Sequence, residues 1–576
     1  MIAFSPRRLL AVALVALGLL VSFGLANYVS SAQAAPTLNL ETLTATEAEK
    51  MLETGEVTSL ELVKDYLARI EAINKSGPGL NVVTQLNPNV LEEARKADAQ
   101  RRKGKSPGPD AGVPILLKDI IDAKPMYTSA GDWALRESFP EQDSGVTKEL
   151  RAHGVIILGK VGLSEWANSF GSQPSGFGNL TGQVLNANDT AAGPSGSSSG
   201  SGAAAAAGLS TLTIGTETSG SIISPSTAEN VVGLRPTLGL VPGYGIAPIL
   251  ASQDTAGPIV KTVADAATTL ESIAEVTGTD PEANAEYEAI MGPEFLKNED
   301  IQPAPFTTLP EYKSALTTEF VKGKRIGFNG TSEAILKAVA ALEAAGAIMV
   351  PDASTSVGTI PALPPHYEEH ATIDDYYAHL GASVPVKSLV QEVQVDETDP
   401  QEALKFGNKE HKVESEAEDT PGGANQKAYD EALPKRKTAY HAAIEKMMNE
   451  PSGGGGPVIA VVGSVPSGPQ AGDPEITVPM GYTATLRRSQ NVNINGGAYD
   501  EMNLIGVAYV VEQATKLHKA PAEVDPAEYR CARTTPAEPF ASRGHCNPDY
   551  VSIVKETKGT TKTVLPFSLE TTSAKT

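Results

Sequence analysis

The sequence predicts an α/β fold in which a β-sheet is covered by helices. Short apolar runs alternate with helical stretches from 113 to about 274. Strand character then returns near the C-terminal end, at 458–462 and 476–479. The chain has 576 residues, 41% of them apolar and 20% charged, which is ordinary globular content and far more than one core requires. Strands that alternate with helices bury both their faces under those helices, which is the α/β solution.

Taken in order, the elements begin with helices. Thr44 with Glu47, and Thr58 with Glu61, each fit a capping box. Leu60, Val63, Leu67 and Ile70 recur at helical spacing until Asn74-Lys75-Ser76-Gly77-Pro78 ends the run. A further helix is expected over 90–102. Segments 113–117 and 155–158 read as buried strands. A third strand over 211–216 follows the short helix former 203–207. Residues 275–450 are richer in charge and helix formers, and a helix over 503–516 follows the late strands. The expected organisation is a single domain over 35–576. It comprises N-terminal helices (35–105), an α/β core assembled from 110–274 and 455–520, a helical elaboration (275–450) and a tail (521–576). Gly453-Gly454-Gly455-Gly456 reads as a flexible loop.

The N-terminus carries an address. Arg7 and Arg8 precede an apolar run from Leu9 to Ala26, and Ala32-Gln33-Ala34 follows. A positive start, an apolar centre and an A-x-A site describe a secretory signal peptide over 1–34, so a secreted or periplasmic protein is expected. An uncleaved anchor is the rival reading, because the run is long for an h-region. Removing the two arginines of 1–34 moves the formal charge from -23 to -25. So acidic a surface disfavours nucleic acid and stable association with anionic membrane, and suits a small-molecule or peptide substrate. Cys531 and Cys546 read as a disulfide in an exported chain, with two free thiols as the alternative. A bridge closing that loop would stabilise the tail by about 3 kcal/mol. Nothing in the sequence points to a metal or a cofactor.

The segment Gly193-Pro194-Ser195-Gly196-Ser197-Ser198-Ser199-Gly200-Ser201-Gly202 is the most unusual. Apolar helix and strand material follows it at once, where a linker would be out of place, so an ordered loop is expected. A phosphate loop would need a lysine after the closing glycine, and there is none. Gly196-x-Ser198-x-Gly200 fits a nucleophile elbow, but the preceding residues make a poor strand and no histidine stands out.

A third reading comes from the segments around it. Gly215-Thr216-Glu217-Thr218-Ser219-Gly220-Ser221-Ile222-Ile223-Ser224-Pro225, Val232-Gly233-Leu234-Arg235-Pro236-Thr237 and Gln253-Asp254-Thr255-Ala256-Gly257-Pro258 follow one another. Leu116-Leu117-Lys118-Asp119 and Gly162-Leu163-Ser164-Glu165-Trp166-Ala167-Asn168 lie upstream, and Ala471-Gly472-Asp473-Pro474-Glu475-Ile476-Thr477-Val478-Pro479 downstream. With these motifs in this order the chain resembles the amidase signature family, and within it peptide amidases and related bacterial and fungal amidases. The resemblance implies a large mixed β-sheet covered by helices on both sides. It also implies a Ser-Ser-Lys site with Lys118 as base, Ser197 as bridging serine in a cis peptide with Gly196, and Ser221 as nucleophile. The separations of 79 and 24 residues agree with the family layout.

The chemistry is coherent on physical grounds. An amide has a poor leaving group and a resonance-stabilised carbonyl, so its hydrolysis needs an activated hydroxyl, a proton for the departing amine and donors for the oxyanion. A lysine is a base only when neutral, and burial at the end of an apolar strand disfavours its ammonium. Ser197 would relay a proton from Ser221 to Lys118 and return it to the leaving nitrogen. Thr218, Ser219 and Gly220 would form the oxyanion loop. Asp254 and Glu217 are expected as structural hydrogen-bonding groups and Trp166 as packing. Two departures stand out: Ser219 where many members have Gly or Asp, and Ile223 where an arginine is common. The expected activity is hydrolysis of a carboxylic or C-terminal peptide amide to acid and ammonia through an acyl-enzyme. The alternatives are a Ser-His-Asp esterase using Ser198 and a non-catalytic exported binding protein.

Overall fold

The computed structural model describes residues 38–524, apart from 109, 170–172, 276–303, 354–355, 365, 382–383, 385, 399–415, 420–421, 466–467 and 484–487. The expected leader and the cysteine pair Cys531 and Cys546 lie outside these residues.

In chain order the strands are β1 (Val83–Leu86), β2 (Pro114–Lys118), β3 (Ile156–Val161), β4 (Phe177–Gly178), β5 (Gly182–Gln183), β6 (Leu212–Glu217) and β7 (Val232–Arg235). They continue with β8 (Thr255–Val260), β9 (Arg325–Phe328), β10 (Ile348–Val350), β11 (Val461–Val462), β12 (Glu475–Tyr482) and β13 (Ser489–Asn495). β4 and β5 pair separately, and the other eleven form one sheet in the order β1-β3-β2-β6-β8-β7-β12-β13-β11-β9-β10. β2 runs parallel to β3 and β6, whereas β8, β7, β12 and β13 alternate in direction. The sheet is therefore large and mixed, with helices on both sides, as the sequence predicts. Its middle is built from strands lying before residue 261 and after residue 474.

Helices α1 (Ala45–Thr54) and α2 (Ser59–Ile73) start on the two expected capping boxes. Thr44 and Thr58 each accept the N–H of Glu47 and Glu61 at 3.1 Å, and each glutamate reaches back to the threonine N–H. The buried stripe of α2 is Leu62, Val63, Tyr66, Ile70 and Ile73, with Leu60 and Leu67 half-buried at its margins. Helix α3 (Val90–Arg101) ends one residue before the expected boundary.

The region expected to be a helical elaboration also builds sheet. β9, helix α4 (Glu333–Ala344) and β10 form a parallel strand–helix–strand unit that extends the sheet to its edge. Strands of four and three residues are too short to show alternation, and the helix formers around them dominate the composition. Of the strand expected over 458–462, Val461 and Val462 form β11, and just ahead of them the Ile459 N–H and the Ala460 carbonyl also bond to β9.

The parallel pairing of β2 with β6 sets Leu117 opposite Ile214, so the carboxyl ends of both strands lie side by side. Sheets of this kind bind ligands at that edge. Between β3 and β6 the chain passes through helix α5 (Ser199–Ala207), every residue of which is buried. The helix starts four residues before the expected alanine run, through Gly200 and Gly202, although glycine is a poor helix former. Packing overrides propensity here. A Cβ on Gly200 would stand 2.3 Å from the Gly162 carbonyl oxygen, so the helix backbone rests directly on the chain leaving β3. Gly200→Ala is accordingly expected to lower stability by about 1–3 kcal/mol through overpacking. A denaturant midpoint equal to that of the parent protein would refute this close approach.

Candidate active site

Lys118 is the last residue of β2 and is fully buried. Its Nζ lies 2.8 Å from Ser197 Oγ, 2.8 Å from Thr216 Oγ1 and 3.4 Å from the Thr216 carbonyl oxygen. Burial drives its pKa down to about 7, opposed by the charges of Asp254 and, less, Glu217. No carboxylate among the described residues forms an ion pair with it. A neutral amine carries two N–H donors and one lone pair. The two oxygens of Thr216 can take the N–H groups, which leaves the lone pair for the Ser197 hydroxyl. Nothing in the sequence singles out Thr216, because its relevance depends on β6 lying beside β2.

Ser197 sits in the Gly/Ser loop ahead of α5, and its peptide bond to Gly196 is cis. Its carbonyl accepts the N–H of Ser164 at 3.1 Å. A Cβ on Gly196 would stand 2.4 Å from Ser164 Oγ, so this loop has no room for a side chain there. Ser198 is also fully buried, but its hydroxyl donates to the Thr216 carbonyl at 2.9 Å and accepts the Thr216 N–H at 3.1 Å. No histidine among the described residues bonds Ser198, so an elbow serine has no base beside it.

Ser221 lies in the loop between β6 and helix α6 (Ile223–Glu229), and its carbonyl accepts the N–H of Ser198 at 3.2 Å. That bond joins the loop of Ser221 to the loop of Ser197. Gly220 has φ +81°, a left-handed conformation suited to glycine, and its carbonyl takes the Ser224 N–H at 2.7 Å. Thr218 donates to Asp254 Oδ1 at 2.5 Å, and Ser219 is exposed. Among the described residues, no acceptor takes the main-chain N–H groups of Thr218, Ser219, Gly220 or Ser221. The next two, from Ile222 and Ile223, both go to Glu217 Oε2. Four consecutive main-chain N–H groups, up to and including that of Ser221, are thus left without an acceptor among the described residues, as donors to a developing oxyanion must be.

The remaining expected residues fall around this centre. Asp254 Oδ2 accepts the N–H groups of Ile249 and Leu250, and Asp254 with Glu217 shapes the loop as structural groups. Ile223 is buried. Trp166 is fully buried against Tyr377 with ring centroids 5.9 Å apart, which is packing. In β3, the strand beside β2, a second buried lysine, Lys160, donates to Tyr127 O and Thr128 Oγ1 at 2.7 Å each and faces Asp119 at 3.4 Å. Lys160 thus has a carboxylate partner, whereas among the described residues Lys118 meets hydroxyl and carbonyl oxygens alone.

Known proteins share this architecture. A family model described as Amidase matches residues 61–495. A "Probable amidase" of Arabidopsis thaliana is 35% identical over 504 residues, which cover 84% of this chain and 92% of that protein. The crystal structure of native peptide amidase from Stenotrophomonas maltophilia superposes with a TM-score of 0.71 at 33% identity, covering 84% of this chain and 99% of that one. An amidase family protein from Bacillus anthracis gives a TM-score of 0.72 at 31% identity, covering 83% and 92%.

The buried lysine should leave a mark on stability. Its folded pKa lies below its unfolded value, so the unfolded chain binds the extra proton between about pH 7 and 10.5. The cost of burying it is full below pH 7 and fades as pH rises through that window. Replacing Lys118 by Met should therefore change folding stability more favourably at pH 6 than at pH 9. Equal changes at the two pH values, measured by denaturant unfolding, would contradict this.

Proposed function

The chain belongs to the amidase family, and from this premise we propose that it hydrolyses a carboxylic or C-terminal peptide amide to acid and ammonia through a Ser-Ser-Lys triad. Amide hydrolysis is the activity of the family. In this reading Lys118, Ser197 and Ser221 perform it. The observation that supports it most is the 2.8 Å approach of a buried, easily deprotonated Lys118 Nζ to Ser197 Oγ.

In this reading each step falls to one of those three residues. Ser221 Oγ attacks the carbonyl carbon as its proton passes to Ser197, whose own proton moves to Lys118. The tetrahedral oxygen takes N–H groups from Thr218, Ser219, Gly220 and Ser221, fixed dipoles that need no reorganisation. Collapse breaks the C–N bond while the proton returns from Lys118 through Ser197 to the leaving nitrogen, and ammonia departs. Water then repeats the attack on the acyl-enzyme, and Ser221 is released with the acid. Every proton removed is given back, so the cycle needs no external acid. The likeness to a peptide amidase supports a peptide amide among the substrates.

Ser221→Ala should lower ammonia release from a panel of amides by about four orders of magnitude or more, and Lys118→Ala should come close. The wild-type kcat/KM should fall on acidification through pH about 7, as Lys118 takes up its proton. Full activity in Ser221→Ala, or a flat profile down to about pH 5, would refute the triad.

A further inference from the structure

Glu217 ends β6 four residues before Ser221 and is buried. Its Oε2 accepts the N–H groups of Ile222 at 2.7 Å and Ile223 at 3.1 Å, the two residues that follow Ser221. The residue at which the chain enters the loop therefore grips the same loop where it leaves. A second group holds Glu217 from behind. Arg235, the fully buried last residue of β7, donates Nη1 to the Glu217 carbonyl at 2.8 Å and lies 3.7 Å from Glu217 Oε1. Its Nη2 reaches the carbonyls of Gln253 at 2.8 Å and Pro469 at 3.4 Å. One guanidinium thus joins the ends of β6 and β7 to the segments that lead into β8 and β12.

We propose that Glu217 is a positioning residue for the reaction, its carboxylate holding the loop of Ser221 through Ile222 and Ile223 while Arg235 anchors it from the other side. The inference rests on the Ser-Ser-Lys reading and adds a residue to it. By claiming the N–H groups of Ile222 and Ile223, Glu217 fixes the turn on which those of Thr218, Ser219, Gly220 and Ser221 stand open. The clamp also accounts for Ile223. With Glu217 engaged by two N–H groups and by Arg235, the position two residues beyond Ser221 needs no cation, and it carries a buried aliphatic side chain.

The same carboxylate acts on the base at a distance. Asp254 and then Glu217 are the acids whose charges favour the Lys118 ammonium. Arg235 lies in the field of Glu217, Asp254, Glu475 and Asp473, and Glu475 in that of Glu217. A glutamine at 217 would keep an oxygen for the two N–H groups and remove one negative charge, which favours the neutral amine.

The test compares Glu217→Gln, Glu217→Ala and Asp254→Asn in the full-length enzyme, on an amide that the wild type hydrolyses. Glu217→Ala should lose about 100-fold in kcat with KM changed less than about threefold, because an interaction serving the transition state is lost. Glu217→Gln should lose less, and the acidic limb of its kcat/KM profile should move to lower pH, as should that of Asp254→Asn. A glutamate that serves folding alone would lower the unfolding midpoint and leave the limb unmoved. An unmoved limb in Glu217→Gln, or wild-type kcat in Glu217→Ala, overturns this proposal. Should Glu217→Ala fail to fold, Glu217→Gln decides through kcat as well as the limb: a loss of roughly a few-fold in kcat with KM unchanged is expected, and wild-type kcat overturns the proposal. Ammonia release that survives Ser221→Ala would instead overturn the Ser-Ser-Lys reading and this proposal with it.

Discussion

A lysine amine held away from water, with hydroxyl and carbonyl oxygens as its contacts, is the constraint around which this structure is arranged. An ammonium in such a place lacks both hydration and a carboxylate in contact, so the neutral form becomes accessible near neutral pH. The requirement is geometric as well as electrostatic. Lys118 must end a strand that is buried on both faces, and Ser197 must meet its lone pair. The parallel pairing of β2 with β6 meets the first demand and brings Thr216 to the amine. The glycine-rich entry to α5 meets the second, because only residues without side chains let the Ser197 loop settle against Gly162 and Ser164.

Lys160 shows what the alternative looks like one strand away. It is as deeply buried as Lys118, but it faces Asp119 and serves to join β3 to the loop around Thr128. The carboxylates whose charges act on Lys118 are out of contact with it and occupied. Asp254 receives Thr218 and two main-chain N–H groups, and Glu217 receives Ile222 and Ile223. Both acids therefore moderate the lysine through space while shaping the loop that carries Ser221. A charge-assisted contact with either one would hold the amine as ammonium and remove it as a base.

Much of this was legible in the sequence, for identifiable reasons. The capping boxes at Thr44 and Thr58 are local chemistry, complete within four residues. The motifs around Lys118, Ser197 and Ser221 are long and ordered, and the mixed sheet they imply is the one observed. What the sequence does not show depends on tertiary neighbours. Thr216 becomes a partner of Lys118 only through strand pairing, and Arg235 meets Glu217 only because β7 and β8 fold back against β6. β9 and β10 are too short to betray a period. The start of α5 at Ser199 contradicts local propensity and is explained by the backbone contact at Gly200.

The central claim is that Lys118 activates Ser221 by way of Ser197. A fluorophosphonate forms a stable bond only with an activated serine, so mapping its adduct by peptide mass reads that claim without knowledge of the substrate. The account predicts one adduct, on Ser221, formed faster as pH rises through about 7 and almost absent in Lys118→Ala. An adduct on Ser198, or undiminished labelling of Ser221 in Lys118→Ala, would contradict it.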